Sequence, residues 1–182
     1  WGTWVEVKIN APELVRDRYV PGRVFMSSVS DAYQPIEKEL KLTRGILEKM
    51  DKNIELSILT KSNLVLRDID ILKTFKNVDV GFTINSFSDK EKDLFEPDSP
   101  ANKERIGAMK TLKENGIKTY AFVSPIIPNL INIETIIGKT KSYADYYWFE
   151  FLNLRGAGKE ISEILEKEYP ESYKIMKDKE AS

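Results

Sequence analysis

The stretch VFMSSVSDAYQPIE, Val24 to Glu37, decides the fold. An apolar run, Val24 to Met26, passes into the small polar residues Ser27 to Ser30. An acid, Asp31, follows, then a turn through Tyr33-Gln34-Pro35 and a helix opening at Glu37. A buried strand that stops at a Ser-Asp pair before a helix sets two oxygen-bearing side chains at the carboxyl edge of a sheet. In parallel α/β sheets that edge is where ligands bind. Other apolar runs stop the same way: 54–59 (IELSIL) at Thr60-Lys61-Ser62, 78–84 (VDVGFTI) at Asn85-Ser86, 117–123 (IKTYAFV) at Ser124-Pro125, and 146–152 (YYWFEFL) at Asn153-Leu154-Arg155. Polar residues released in register from successive strands point to a ligand site.

The segments between these runs have helical periodicity. A helix over about 35–51 turns Ile36, Leu40, Thr43, Ile46, Leu47 and Met50 to one stripe, and Asp68 is placed to cap a helix carrying Ile71, Leu72 and Phe75. Residues 88–95 read as a charged helical turn, 101–115 as a helix ended by Gly116, 133–142 as a helix, and 159–177 as a last helix before a charged, fraying end at 166–182. The alternation over residues 5–9 predicts a weak additional strand, and Asn10 with Pro12 a short helix after it. Strands alternating with helices indicate βα units, a parallel sheet and right-handed crossovers in a single domain, 1–182. Five firm strands and a weak one are too few for an eight-stranded barrel. They predict an α/β fold, a partial TIM-like barrel or an open curved sheet.

Composition narrows the chemistry. The 182 residues carry 28 basic and 29 acidic side chains, a net charge of −1, which gives no global drive toward nucleic acid or lipid. Lys8, Arg16, Arg18 and Arg23 cluster in sequence, as a local basic groove or as an ordinary solvated surface. The chain has no Cys and no His, so it holds no thiolate-bound iron–sulfur cluster or usual zinc site and runs no Ser-His or Cys-His mechanism. No apolar run approaches a membrane span and no signal peptide is visible, which fits a cytoplasmic protein. Abundant Lys and Glu with a single Gln, Gln34, lean toward a thermophile. The first residue, Trp1, reads as the start of part of a longer chain.

Ser30-Asp31-Ala32-Tyr33-Gln34-Pro35-x-Glu37, Leu42-Thr43-Arg44, Leu59-Thr60-Lys61-Ser62, Arg67-Asp68-Ile69-Asp70, Thr83-Ile84-Asn85-Ser86, Phe95-Glu96-Pro97, Arg105 and Val123-Ser124-Pro125-Ile126 form an ordered set. Together they resemble the radical SAM superfamily, nearest its spore photoproduct lyase and DNA repair photolyase branch, from about Val5 to Leu154. The resemblance implies a six-stranded partial (βα)6 barrel. It also implies reductive cleavage of S-adenosylmethionine, by a four-iron, four-sulfur cluster, to a 5′-deoxyadenosyl radical. By resemblance Ser30 faces the adenosylmethionine with Asp31 beside it. Lys61 and Ser86, next to Asn85, contact its methionyl or ribose groups, and the backbone around Ser124 meets the adenine. The family's three-cysteine loop and first strand are absent here and are expected just before Trp1 in a parent chain. This polypeptide alone is then expected to be inactive, and its catalytic residues stay unassigned.

Each residue also has a plainer reading. Lys61 can be a surface lysine, Asp31 a turn or helix-capping carboxylate, and Ser30, Ser86 and Ser124 turn residues. Arg105 can pair with Glu96, and Glu150 can face the lumen of the barrel. Tyr33, Tyr147, Trp148 and Phe149 read as core. Residues 155–158 read as an anion cradle or a loop. Beside the radical enzyme, whose substrate is unknown with nucleic acid as a candidate, stands a non-catalytic nucleoside- or nucleic-acid-binding domain. A phosphate-binding α/β enzyme ranks below both, because no Gly-rich phosphate loop is present.

Overall fold

The computed structural model describes residues 4–16, 18–26 and 29–181. Trp1, Ser27 and Ser28 lie outside them. The apolar runs form five parallel strands, β1 Arg23–Met26, β2 Glu55–Thr60, β3 Asn77–Ile84, β4 Lys118–Ile126 and β5 Tyr146–Phe151, ordered β1-β2-β3-β4-β5 across one sheet. Helices α1 Ala11–Leu14, α2 Glu37–Leu40, α3 Leu42–Lys49, α4 Ile69–Leu72, α5 Asp89–Phe95, α6 Asn102–Glu114 and α7 Ile133–Thr140 lie before and between them, with a 3-10 turn at Asn63–Asp68. After the sheet come α8 Leu154–Ala157, α9 Lys159–Glu168 and α10 Pro170–Ala181.

The sheet curls into a half-barrel. Flat, five strands would set their outer members about 19 Å apart. Yet Arg23 on β1 donates to the Tyr146 hydroxyl on β5 at 2.8 Å, and the same Nη2 reaches Asp79 on β3 at 2.5 Å and Ser57 on β2 at 3.2 Å. Side chains from opposite edges meet only if this face is concave. Period two then places Phe25, Leu59, Phe122 and Trp148 on the same face, nearer the carboxyl ends.

The opposite face carries the core. Leu56, Ile58, Val80, Phe82, Ile84, Ala121 and Val123 are buried there against Leu47, Leu72, Met109 and Leu112 of the flanking helices. A second cluster, Ile127, Leu154, Leu165 and Met176, gathers α9 and α10 against Phe95 of α5. Tyr33 is 1% exposed and Tyr147 packs on the main core, as read from sequence. Trp148 and Phe149 do not: they are 55% and 49% exposed. Their strand is the sheet's last, and the final helices gather around Ile127 and Leu154 rather than on it.

Other local expectations also shift. Residues 5–9 form no strand; Val5 and Ile9 are exposed, and an alternating run needs a partner to pair with. The 35–51 helix is two helices, jointed at Lys41 with φ 51°. The last helix breaks at Tyr169 before Pro170, which starts α10, because proline lacks the N–H that would continue α9. The end expected to fray is helical through Ala181 and buries Met176. Of residues 155–158, 155–157 are helical in α8, capped by Asn153, and Gly158, at φ 85°, joins α8 to α9. Gly116 takes the left-handed conformation, φ 78°, as expected of a helix stop.

Gly81 is required by the curl. A Cβ there would lie 2.1 Å from the Tyr120 ring, which crosses β3 and stacks on Tyr146 at 4.8 Å. Gly81→Ala is expected to lower stability by about 3 kcal/mol in urea unfolding. The loss should shrink when Tyr120 is Leu, which removes the clashing ring.

Candidate functional site

The sequence-predicted residues fall at the carboxyl ends of adjacent strands. Ser30 and Asp31 follow β1, Lys61 follows β2, Asn85 and Ser86 follow β3, and Ser124 lies near the end of β4. Ser30 is exposed. Asp31 accepts from Tyr33 N at 2.8 Å, from the Thr60 hydroxyl at 2.7 Å and from Lys61 N at 2.8 Å. It ties the loop after β1 to the end of β2 and caps no helix. Ser124 donates to Glu150 at 3.0 Å, so Glu150 lies on the concave side as read from sequence.

Lys61 reaches into a buried ion network. Its Nζ lies 2.9 Å from Glu96 Oε1, whose other oxygen accepts from Arg105 at 2.8 Å. Arg105, 1% exposed, also donates to Pro100 O, Thr83 O and the Ser99 hydroxyl. The Arg105–Glu96 pair is therefore structural, and it locks the segment after α5 onto β3. Burial pushes the Glu96 carboxyl up, but the Lys61 and Arg105 charges outweigh it and leave it below its ordinary value. Lys61 is 40% exposed. If it swings toward a ligand, Glu96 keeps its arginine.

The most distinctive motif residues build scaffold. Glu37 accepts from Thr43 N at 3.1 Å and Arg67 Nη2 at 2.7 Å. Arg67 also binds Asp68, which Arg44 holds at 3.0 Å while bonding Asp70 at 2.8 Å. Asp68 is fully buried and caps α4 with no side-chain bond; its oxygens are taken by the arginines. Burial against Asp68 raises the Tyr33 hydroxyl. These bonds fix the 3-10 turn after β2 under the loop after β1.

Two cavities separate the predicted residues. Asp31 and Lys61 line one of about 560 Å³, walled by Pro35, Leu64, Phe95 and Pro97. Asn85 and Ser86 line another, of about 510 Å³, between α6 and α7. There Asn85 Oδ1 accepts from Asn102 at 2.8 Å and Ser86 accepts from Asn132 N at 2.8 Å.

Sequence reasoning missed the floor of the half-barrel. Arg23, Ser57, Asp79, Tyr120 and Tyr146 join there through hydroxyl and carboxylate bonds. Burial raises both tyrosine hydroxyls, that of Tyr146 to about 12. The signal available was Asp79 inside an otherwise apolar strand, since a buried carboxylate demands partners. Among the described residues no group of His, Cys, Asp and Glu could hold a metal, and no helix is long and apolar enough to cross a membrane.

The fold and rim define a class: a parallel half-barrel with a polar rim at the strand carboxyl ends. Two solved structures of spore photoproduct lyase share this fold. One, a double mutant with bound AdoMet and dinucleoside spore photoproduct, matches with a TM-score of 0.55 and 19% identity over 81% of this chain and 45% of that one. The other, complexed with the dinucleoside spore photoproduct, gives 0.56 and 19% over 91% and 52%. The chain thus spans about half the length of those enzymes. No family model matches. In sequence, the chain is 58% identical over 181 residues to the uncharacterized protein MJ0683 of Methanocaldococcus jannaschii, covering 100% of itself and 70% of that protein. It is 31% identical over 134 residues to the uncharacterized protein ORF301 of Acidianus two-tailed virus, covering 70% of itself and 44% of that protein. The chain belongs to the MJ0683 family.

Glu96→Gln leaves Arg105 buried beside a neutral partner and is expected to cost about 3 kcal/mol. Because the folded carboxyl titrates below its unfolded value, the native advantage should be complete above about pH 4.3. It should drain as pH falls through the lower folded value. Urea titrations from neutral to acid pH should show the wild-type and Glu96→Gln curves converging.

Proposed function

We propose that this chain supplies the carboxyl-edge half-cup of a radical SAM core, in which the rim holds S-adenosylmethionine. The observation that carries the reading is Lys61. It is a rim cation whose acidic partner keeps a second, buried arginine, so the amine is free to turn to the methionyl carboxylate. The shared fold with an AdoMet-bound lyase supports the same placement. Ser30 contributes a hydroxyl at the end of β1, and Asp31 orients it by pinning its loop to β2. Ser124, held by Glu150, leaves the surrounding backbone to meet the adenine. Asn85 and Ser86, bonded toward Asn102 and Asn132, act chiefly by setting the end of β3.

The cluster of such an enzyme does not fit the residues here. Without Cys or His the chain has no thiolate or imidazole to bind it, and no step is derived through it. In this reading the ligands come from a segment outside the chain, which alone binds weakly and does not react. The concave wall suits a planar substrate: Phe25 and Trp148 are 45% and 55% exposed, and bases stack on such rings. The dinucleoside bound by the lyases supports a nucleic-acid substrate for the parent protein.

Calorimetric titration with S-adenosylmethionine tests the reading. Binding should weaken about tenfold in Lys61→Ala, the scale of one charge-assisted hydrogen bond. A chain extended upstream should bind more tightly and gain absorbance near about 400 nm after iron–sulfur reconstitution. Failure of both chains to bind, or affinity indifferent to Lys61→Ala, overturns it. Salt-sensitive DNA binding without response to the sulfonium would favour the nucleic-acid-binding domain instead.

A further inference from the structure

The cavity between α6 and α7 is separate from the rim cavity and has its own chemistry. It encloses about 510 Å³, within the usual range for small-molecule sites. Ile84 and Ile106 give it an apolar wall, and Tyr143 an aromatic one. Its polar lining is positive or neutral, with no Asp or Glu. Lys103, in the first turn of α6, and Lys139, in the last turn of α7, both line it and are exposed. Among the described residues neither makes an ion pair. The first turn of α6 also lies at the cavity and adds the positive end of its dipole, while α7 runs along the cavity from Thr135 to Lys139.

Asn85 closes its inner end. Asn85 is 5% exposed and lines the cavity. Its Oδ1 accepts from Asn102 and from Phe87 N, while its Nδ2 is buried and without a partner. Two unpaired ammonium groups, a lining without Asp or Glu and an apolar wall select one class of occupant.

We propose that this cavity binds a small organic anion, a flat apolar body bearing one carboxylate or phosphate. The body lies against Ile106 and Tyr143, and the anionic head sits between Lys103 and Lys139. The site is independent of Lys61 and of the adenosylmethionine reading.

Calorimetry with phenyl phosphate, benzoate and inorganic phosphate tests it on the 182-residue chain. At least one aryl anion should bind, and whichever binds more tightly identifies the preferred head group. Lys103→Gln with Lys139→Gln, exposed positions at which circular dichroism should show an unchanged fold, should weaken that binding by about tenfold or more. Lys61→Ala should leave it unchanged. Inorganic phosphate should bind at least about tenfold more weakly than phenyl phosphate, for want of an apolar body. The proposal is overturned if neither aryl anion binds at about 10 mM, a concentration that detects even weak sites. It is equally overturned if the double variant binds as well as the native chain, if Lys61→Ala abolishes binding, or if inorganic phosphate binds as tightly as phenyl phosphate.

Discussion

The clasp of Arg23, Asp79 and Tyr146 sets the shape on which everything else depends. One guanidinium nitrogen joins the first, third and fifth strands across the concave face, so the sheet cannot flatten without breaking charged hydrogen bonds in a partly buried place. Tyr120 completes the floor by stacking on Tyr146, and its ring occupies the space that any side chain at position 81 would need. Curl, floor and glycine are thus one device. With the amino-terminal ends drawn together, the successive strand ends are held along a curved rim.

That rim is stiffened by charge rather than by apolar packing. Asp31 accepts from Thr60 and Lys61, Glu37 from Thr43 and Arg67, Asp68 from Arg44 and its neighbour Arg67, and Glu96 from Lys61 and Arg105, so each carboxylate ties its own segment to a separate one. Burying the Glu37, Asp68 and Glu96 carboxylates is costly, and a buried ion pair is often no more stable than an apolar contact of the same shape. What such pairs supply is position. Carboxylates with fixed partners hold the loop after β1, the turn after β2 and the segment after α5 in one arrangement. A ligand binding the rim then has little loop ordering left to impose.

Much of this was legible in the sequence. The five apolar runs and their polar endings gave the strands, their parallel order and the polar carboxyl rim, because period and β-branching are local signals. Buried Tyr33, the Arg105–Glu96 pair and Glu150 facing inward were also readable. Other features depend on non-local facts. Trp148 and Phe149 read as core because aromatic residues in a strand usually are; that β5 ends the sheet is decided elsewhere in the chain. The joint at Lys41 leaves no mark, since lysine carries no preference for positive φ. Asn85 and Ser86 stand where ligand residues stand, yet their side chains are engaged by α6 and by the loop before α7. Only the folded chain shows which way a residue after a strand will turn.

The half-barrel also constrains where a ligand can sit. At the amino-terminal end the concave face is closed by Arg23, Asp79 and Tyr146 in direct contact. Two residues further along the outer strands, Phe25 and Trp148 are half exposed, so the walls have parted. Beyond them, Lys61 and Glu150 reach solvent at the rim. A trough filled at one end and open at the other excludes a ligand from its floor and offers its polar groups only at the carboxyl edge. Arg23 and Tyr146 close the floor, and the open end of the trough is the polar rim.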